Sequence, residues 1–580
     1  MSVQTTLPAG TGEAAAPAQR WRHWDPASLV WLLAIVALLV LVLNPLLRLL
    51  VVSFQDDNGA FTLANYAAAY GRMRQLQALA NSLLLGVSSG CLCLVFGVPL
   101  AWALSRTDMP GKTLIWIAIL GTFIIPPYLG AVGWILLAGP NAGWLNRVAV
   151  ALGASGNPFN IYSMPGLVLV VACYSFPYVV VLTKSALDLV SSEMEDAANI
   201  LGAGTLRTTL SITLPLVLPA IAGAFILVFL EAIALFGSPA LLAIPGRFQV
   251  VTTELWQMFE FPPRVGVASA YAMPLLAITV ILFWLQRRLI SRKGYVSLTG
   301  KGGERRPAAL GAWKWVALAY CLLVTTLSFF MPLVVICQAA FSKAWGRGFS
   351  ADNFTLGNVR AIVFENALTR AAALHTFLYA GAASLLAVAL AVCIAYVINR
   401  ELVRPKVGSA LAFLTMAPFV VPGIVLAIGF YAAYTRPPLV LYGTAWILVL
   451  AFTTRFLPIA YVNSSAAIRS INPELEEAVR TLGGTRLTAI RAVVLPVLKR
   501  SLAGAFILVF IPATRELSTA IFLYSINTQV LSVLLFDKSD EGNFEVLASI
   551  GLVLVVITVT IILAGFRLMG RDFMLRRTVG

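Results

Sequence analysis

The chain has few charged residues and almost no histidine. Of its 580 residues only 11% are charged, two are histidine and 59% are hydrophobic, and the mean hydropathy is +0.88. Soluble domains usually carry about 25% charged residues, and a single soluble core stops growing well below this length. The composition therefore excludes one large soluble domain and a disordered chain. It predicts an all-α polytopic membrane protein.

The sequence gives little support for metal, disulfide or nucleotide chemistry. Its six cysteines lie inside apolar runs and not at the spacing of a zinc site or a disulfide framework. The two histidines, His23 and His375, stand far apart. The phosphate-binding pattern GxxxxGK[ST] does not occur, so the chain is not expected to hydrolyse ATP. We therefore expect no catalytic residue, no metal site and no cofactor on this chain, and classify it as a non-enzyme.

The net charge of +16 has an explanation that does not involve nucleic acid. Cytoplasmic loops of membrane proteins are enriched in Lys and Arg. Clusters of these residues precede the first predicted span and follow the second, sixth, eighth and twelfth. All of these clusters fall on one side if both termini are cytoplasmic. We therefore expect the lipid bilayer, and not nucleic acid, to surround the protein.

Apolar windows of about 20 residues, the length that crosses a bilayer, predict about twelve spans in two sets of six. The first set lies near 28–53, 80–104, 113–138, 164–186, 216–241 and 266–287, and the second near 313–341, 373–397, 408–433, 443–466, 497–524 and 546–568. The predicted domains are a disordered cytoplasmic tail (1–27), a first transmembrane domain (28–287), a basic cytoplasmic linker (288–312) and a second transmembrane domain (313–580).

The two halves are internal repeats. Residues 223–229 and 504–510 both read GAFILVF, and the offset of 281 also aligns Gly202 with Gly483 and Pro215 with Pro496. Because six spans is an even number, both halves enter the membrane from the same side. The repeats are then parallel and related by an axis along the membrane normal, with any pathway between them. This arrangement favours a transport protein over a membrane enzyme.

The loop between the fourth and fifth spans has the same pattern in both halves. Acidic residues open it, as suits the N-terminus of a helix, and a glycine six positions later suits the end of that helix. A proline then begins the next predicted span. An ordinary loop helix would show the same residue pattern, but the occurrence of the pattern at matching places in both halves favours a shared role. The residues concerned are Glu195, Asp196, Ala197, Ala198, Gly202 and Pro215 in the first half, and Glu476, Glu477, Ala478, Gly483 and Pro496 in the second.

These two loops resemble the signature loop of bacterial ABC importer permeases, E-A-A-x-x-x-G-x(9)-I-x-L-P. The first copy matches it from Asp196 to Pro215, with aspartate in place of the leading glutamate. The second matches it from Glu477 to Pro496, with valine at two positions. The resemblance implies two permease domains of the type I importer fold fused in one chain, in a bacterial inner membrane. It also implies that each loop is a coupling helix docking on one of two ABC ATPase subunits, which hold the ATP and Mg, and that a periplasmic binding protein delivers the substrate.

Two further stretches resemble fused permeases for ferric iron. They lie at 293–302, after the sixth span, and at 515–525, in the eleventh. The resemblance implies ferric iron as the substrate, while thiamine, a phosphonate or a polyamine remain alternatives within the same importer class. A secondary transporter with six plus six spans would show the same parallel repeat, but it would lack the paired loops.

Charged residues inside predicted spans are energetically expensive and mark functional candidates, and we single out four of them. They either line a translocation path or form buried ion pairs and hydrogen bonds that fix helix packing. These residues are Glu231, Arg455, Arg515 and Glu516. Prolines interrupt the third span of each half, where they either shape a gate or, as we expect, form simple helix kinks. They are Pro126, Pro127, Pro418 and Pro422.

Overall fold

The computed structural model describes residues 27–190, 192–260, 262–291 and 307–569. These residues form helices joined by loops, with three isolated β-bridges. The predicted tail (1–27), apart from its last residue, and the centre of the predicted linker (288–312) lie outside the described residues.

Ten helices of the described chain are long and apolar enough to cross a membrane, and two bent helix pairs bring the total to twelve. The prediction of an all-α protein with about twelve spans is confirmed. The single helices are Ser28–Ser53, Met73–Arg106, Met164–Leu187, Thr205–Ala234, Val265–Gln286, Trp313–Ala340, Ala367–Asn399, Ala445–Arg469, Arg486–Thr514 and Phe544–Gly565.

The third span of each half is broken, so the prediction of simple kinks is wrong. Helix Lys112–Ile124 meets Pro127–Ala138 at 104°, and Pro405–Val420 meets Gly423–Tyr434 at 112°. Pro126 and Pro422 lie at the N-caps of the second helices, with extended ψ angles of 139° and 142°. Because proline has no N–H and disfavours helical backbone in the residue before it, the first helix ends there.

Pro215 and Pro496 lie inside the fifth spans and do not begin them, contrary to the prediction. The helices begin earlier, at Thr205 and Arg486, and pass through π-helical turns at Thr209–Thr213 and Ile490–Val494 just before the prolines. A π turn adds one residue to the helix and shifts its hydrogen bonds to i→i+5. The helix therefore continues past a residue that cannot donate a backbone hydrogen bond.

The fifth spans also end earlier than their predicted limits of 241 and 524. The helices stop at Ala234 and Thr514, and the chain turns into short helices at Gly237–Ala243 and Ala520–Leu523. Arg515 is the C-cap residue. Arg515 and Glu516 therefore lie just beyond the helix end and not within a continuous span.

The two halves pack against each other reciprocally. A Cβ atom added to Gly133 would lie 2.8 Å from Cβ of Pro332, and one added to Gly429 would lie 2.7 Å from the carbonyl oxygen of Pro45. In both places the first span of one half touches the second helix of the bent pair of the other half. This exchange of equivalent contacts is what two parallel repeats around one axis produce.

Candidate functional site

Each half presents a short helix between its fourth and fifth spans: the first loop helix, Ser192–Ile200, and the second loop helix, Glu474–Thr481. Acidic residues occupy the first turn of both. Gly202 and Gly483 follow with φ of +83° and +87°, and a Cβ at either would have no atom within 4 Å. Glycine is therefore needed here for its left-handed backbone conformation and not for close packing.

A buried ion pair holds the second loop helix against the end of helix Ala367–Asn399. Oε1 of Glu476 accepts hydrogen bonds from Nε of Arg400 at 2.9 Å and lies 2.7 Å from its Nη2. Oε2 of Glu476 accepts one from the Tyr396 hydroxyl at 2.5 Å. Arg400 also donates to the carbonyl of Ile471 at the end of the fourth span. These contacts join the second loop helix to the second span of its half and to the segment that follows the fourth span.

The first half repeats this arrangement with Arg106 and Glu195. Nη1 of Arg106 lies 3.3 Å from Oε2 of Glu195, and Nη2 donates to the carbonyls of Leu187 and Val190. The Thr213 hydroxyl donates to the other carboxylate oxygen of Glu195 at 2.7 Å. The sequence prediction named both glutamates but missed the arginines. A signal for the arginines was present in the sequence. The segments AWALSR (101–106) and AYVINR (395–400) align at an offset of 294, and the two arginines are their last residues.

The outer faces of the two loop helices are open to solvent. Ala197, Glu477 and Ala478 are exposed, whereas Ala198 is buried and Asp196 half-buried. The leucines just after the helices, Leu201 and Leu482, are 87% and 89% exposed. They occupy equivalent positions under the offset of 281. Large apolar side chains presented at matching places are typical of a partner surface, and the sequence prediction did not include them.

The four charged candidates singled out from the sequence come together in one place. Glu231, Arg455, Arg515 and Glu516 all line a cavity of about 180 Å³, which we name the charged cavity. It lies between the halves, where the bent pair of the first half and both fifth spans are interrupted. Non-helical backbone within a membrane domain is tolerated where it is enclosed by protein or lines a polar cavity.

Both arginines of the charged cavity bind backbone carbonyls at the breaks of the bent pairs. Arg515 donates to the carbonyl of Phe123, and Arg455 donates to that of Val421. Carbonyls at the end of a helix lack partners within the helix and carry partial negative charge. The arginines therefore stabilise the broken helices, which is the packing role considered from the sequence.

The acidic side of the charged cavity is only partly satisfied. Oε1 of Glu516 accepts hydrogen bonds from the backbone N–H and the hydroxyl of Thr519. The hydroxyls of Ser175 and Tyr178 lie near the carboxyl group of Glu231. Within the described residues, Oε2 of Glu231 and the Tyr128 hydroxyl have no hydrogen-bond partner. Buried polar atoms without a partner call for a ligand or water.

The part of the chain that the structure describes holds no cluster of three or more His, Cys, Asp or Glu side chains suited to a metal ion. The charged cavity combines carboxylate, phenol and guanidinium groups instead. These groups can offer hydrogen bonds and charge compensation to a ligand.

Comparison with known proteins agrees with this architecture. The chain is 27% identical to the ferric transport system permease protein FbpB of Actinobacillus pleuropneumoniae, over 92% of this chain and 77% of that protein. It is 28% identical to a putative ferric transport system permease of Haemophilus influenzae, over 87% of this chain and 79% of that one. A putative 2-aminoethylphosphonate permease of Salmonella paratyphi A is 29% identical, over 40% of this chain and 87% of its own length.

A model of one protein family matches the chain twice, at residues 76–295 and 387–571. The family is described as the inner membrane component of binding-protein-dependent transport systems. The two matches together span more than half of the chain and include both loop helices and all four charged residues of the cavity. The chain therefore belongs to this family, as two ABC importer permease domains fused in one polypeptide.

Proposed function

We propose that the two loop helices are coupling helices, each docking on one of two copies of an ABC ATPase subunit. ATP and Mg bind those subunits and not this chain. Leu201 and Leu482 enter the ATPase surfaces, while the ion pairs of Glu195 and Glu476 transmit movement to the spans. Rigid-body movement of this kind switches many transporters between two states.

The proposed cargo is ferric iron, delivered by a periplasmic binding protein. The observation that supports this choice is the share of the chain that aligns with each relative. The relatives named for ferric transport align with 92% and 87% of the chain, through both halves, whereas the 2-aminoethylphosphonate permease aligns with 40%. The charged cavity lies on the proposed pathway, with Glu231, Arg455, Arg515 and Glu516 in its wall.

The proposed location is the bacterial inner membrane, with both termini in the cytoplasm. This orientation places both loop helices on the cytoplasmic side, where an ATPase has access to them. It also places the clusters of Lys and Arg that follow the even-numbered spans on that side.

Uptake of radiolabelled ferric iron by cells that produce the chain, an ATPase and a binding protein tests the proposal. Uptake is expected to stop when the ATPase or the binding protein is omitted. Uptake that persists without the ATPase would identify a secondary transporter instead. A purified binding protein that holds thiamine, a phosphonate or a polyamine, and not ferric iron, would overturn the choice of cargo.

The docking surface is tested by co-purification of the ATPase with the chain. Leu482→Asp places a charge on the proposed contact and is expected to abolish co-purification. Leu152→Asp is the matched control, because Leu152 is 84% exposed in a loop on the opposite face of the membrane. Equal recovery of the ATPase with both variants would contradict the assignment of the second loop helix.

A further inference from the structure

The charged cavity has no excess of either charge. Two carboxylates, Glu231 and Glu516, face two guanidiniums, Arg455 and Arg515, so their formal charges cancel. A bare polycation would be attracted by an excess of carboxylates, and a bare anion by an excess of arginines. A balanced cavity is complementary to a cargo that itself carries both signs.

The arginines retain donors for such a cargo. A guanidinium has five N–H groups in a fixed fork. Arg515 and Arg455 each place one nitrogen against a helix-end carbonyl. Their remaining N–H groups suit the paired oxygens of a carboxylate or phosphate, which arginine binds in bidentate geometry. One part of the cavity wall therefore favours an oxyanion.

Another part of the wall offers oxygen ligands. Oε2 of Glu231 and the hydroxyl of Tyr128 have no hydrogen-bond partner within the described residues, and Tyr128 is 5% exposed. Carboxylate and hydroxyl oxygens suit small cations of high charge. Tyr178 lies near Glu231 in the same wall.

The free-energy cost of removing an ion from water favours a cargo whose charges are paired. An isolated charge in a medium of low dielectric constant is very unfavourable, and paired charges are far less so. The charge of the two carboxylates is already balanced by the two arginines. It therefore cannot also neutralise the charge of a bare trivalent ion. With a volume of about 180 Å³, the cavity far exceeds the ~10–15 Å³ that admits one water, so it has room for an ion and a small ligand.

We propose that ferric iron crosses the charged cavity together with a small oxyanion, with Glu231 and Tyr128 facing the metal ion and Arg455 and Arg515 facing the anion. The inference rests on the iron transport proposed above, and it adds the chemical form of the cargo. No bond is made or broken other than the coordination of the ion.

Equilibrium dialysis of the purified full-length chain tests the inference. The probe is radiolabelled ferric iron supplied with oxalate that carries a different label. Iron and oxalate are expected to be retained together, in equal amounts, and oxalate alone is expected to bind weakly. Arg455→Gln and Arg515→Gln are each expected to weaken joint retention by about tenfold or more, the effect of losing one charge-assisted interaction.

Tyr128→Phe provides a variant that preserves packing, because the hydroxyl it removes has no partner. It is expected to weaken retention of iron by about 10- to 100-fold, as loss of a group near a metal does. Tyr174→Phe is the matched control. Tyr174 is 4% exposed and its hydroxyl also lacks a partner in the described chain, but it does not line the cavity.

The outcomes separate this inference from the proposed function. Iron retained without oxalate overturns the inference and leaves iron transport intact. Retention of 2-aminoethylphosphonate with no retention of iron overturns both the inference and the proposed iron transport. The balanced charges of the cavity would then bind a zwitterion. If the folded chain retains none of these probes, or if Tyr128→Phe and Tyr174→Phe weaken retention equally, the inference fails, while iron uptake by cells still tests the proposed function.

Discussion

The ion pair of Glu476 offers the sharpest test of how the loop helices are held. Glu476→Ala removes the acceptor of Arg400 and of the Tyr396 hydroxyl. The side chains of Arg400 and Glu476 are only 12% and 7% exposed, so the arginine would remain desolvated and unpaired. Breaking a buried pair by removing one partner costs about 3–5 kcal/mol. We expect most of this cost to appear as local opening of the second loop helix.

Hydrogen exchange of the purified chain measures this opening. Since about 1.4 kcal/mol corresponds to a tenfold change in an equilibrium, amides in 474–481 are expected to exchange about 10²- to 10³-fold faster in the variant. Amides in 192–200, in the first loop helix, serve as the internal control and are expected to exchange at the wild-type rate. The double variant Arg400→Glu, Glu476→Arg is expected to recover part of the protection.

The equivalent change in the first half refines the test. Glu195 is 18% exposed and lies 3.3 Å from Arg106, compared with 2.7 Å between Glu476 and Arg400. Glu195→Ala is therefore expected to accelerate exchange in 192–200 less than Glu476→Ala does in 474–481. Unchanged exchange in 474–481 after loss of Glu476, or equal acceleration of both loop helices by that single change, would refute this reasoning.

Three further predictions concern the turns, the packing between halves and a buried carboxyl. Gly483→Ala forces a side chain into a left-handed conformation at about 1–2 kcal/mol and should reduce ATPase co-purification, whereas Gly204→Ala, at φ −71° in open space, should not. Gly429→Ala overpacks the contact between halves and should cost about 1–3 kcal/mol in thermal unfolding, whereas Gly381→Ala, whose nearest neighbour would be 3.9 Å away, should be tolerated. Burial raises the pKa of Asp537, outside the spans, above its ordinary 3.8. Asp537→Asn should therefore stabilise the protein at about pH 8, and the gain should vanish as the pH falls toward about 4, which thermal unfolding at both pH values measures.

The periodic and repeated features of the chain could be predicted from its sequence. Apolar windows located the twelve spans because a bilayer imposes one length on every helix. The acidic residues, small residues and glycine located both loop helices because these residue types act locally, through the helix dipole and the left-handed turn. The left-handed φ angles of Gly202 and Gly483 agree with that local explanation.

The interruptions of the helices could not be predicted in the same way. Hydropathy is high on both sides of the break at Pro422 and through the π turn before Pro496, so an apolar window does not distinguish a kink, a break and a continuous helix. The distinction depends on tertiary partners. Arg455 binds the carbonyl that the break at Val421 leaves free, and that contact joins residues far apart in the sequence.

Fusion of the two halves in one chain permits a cavity whose charges differ between the halves. Under the offset of 281, Arg515 and Glu516 correspond to Ala234 and Leu235, Glu231 corresponds to Pro512, and Arg455 corresponds to Tyr174. None of the four charges is therefore repeated in the other half. Two identical subunits would have placed every charge opposite a copy of itself, and like charges close together in a dry site repel. A single chain instead sets one carboxylate of the first half against two arginines and a carboxylate of the second. The loop helices, in contrast, keep equivalent glutamate–arginine pairs in both halves.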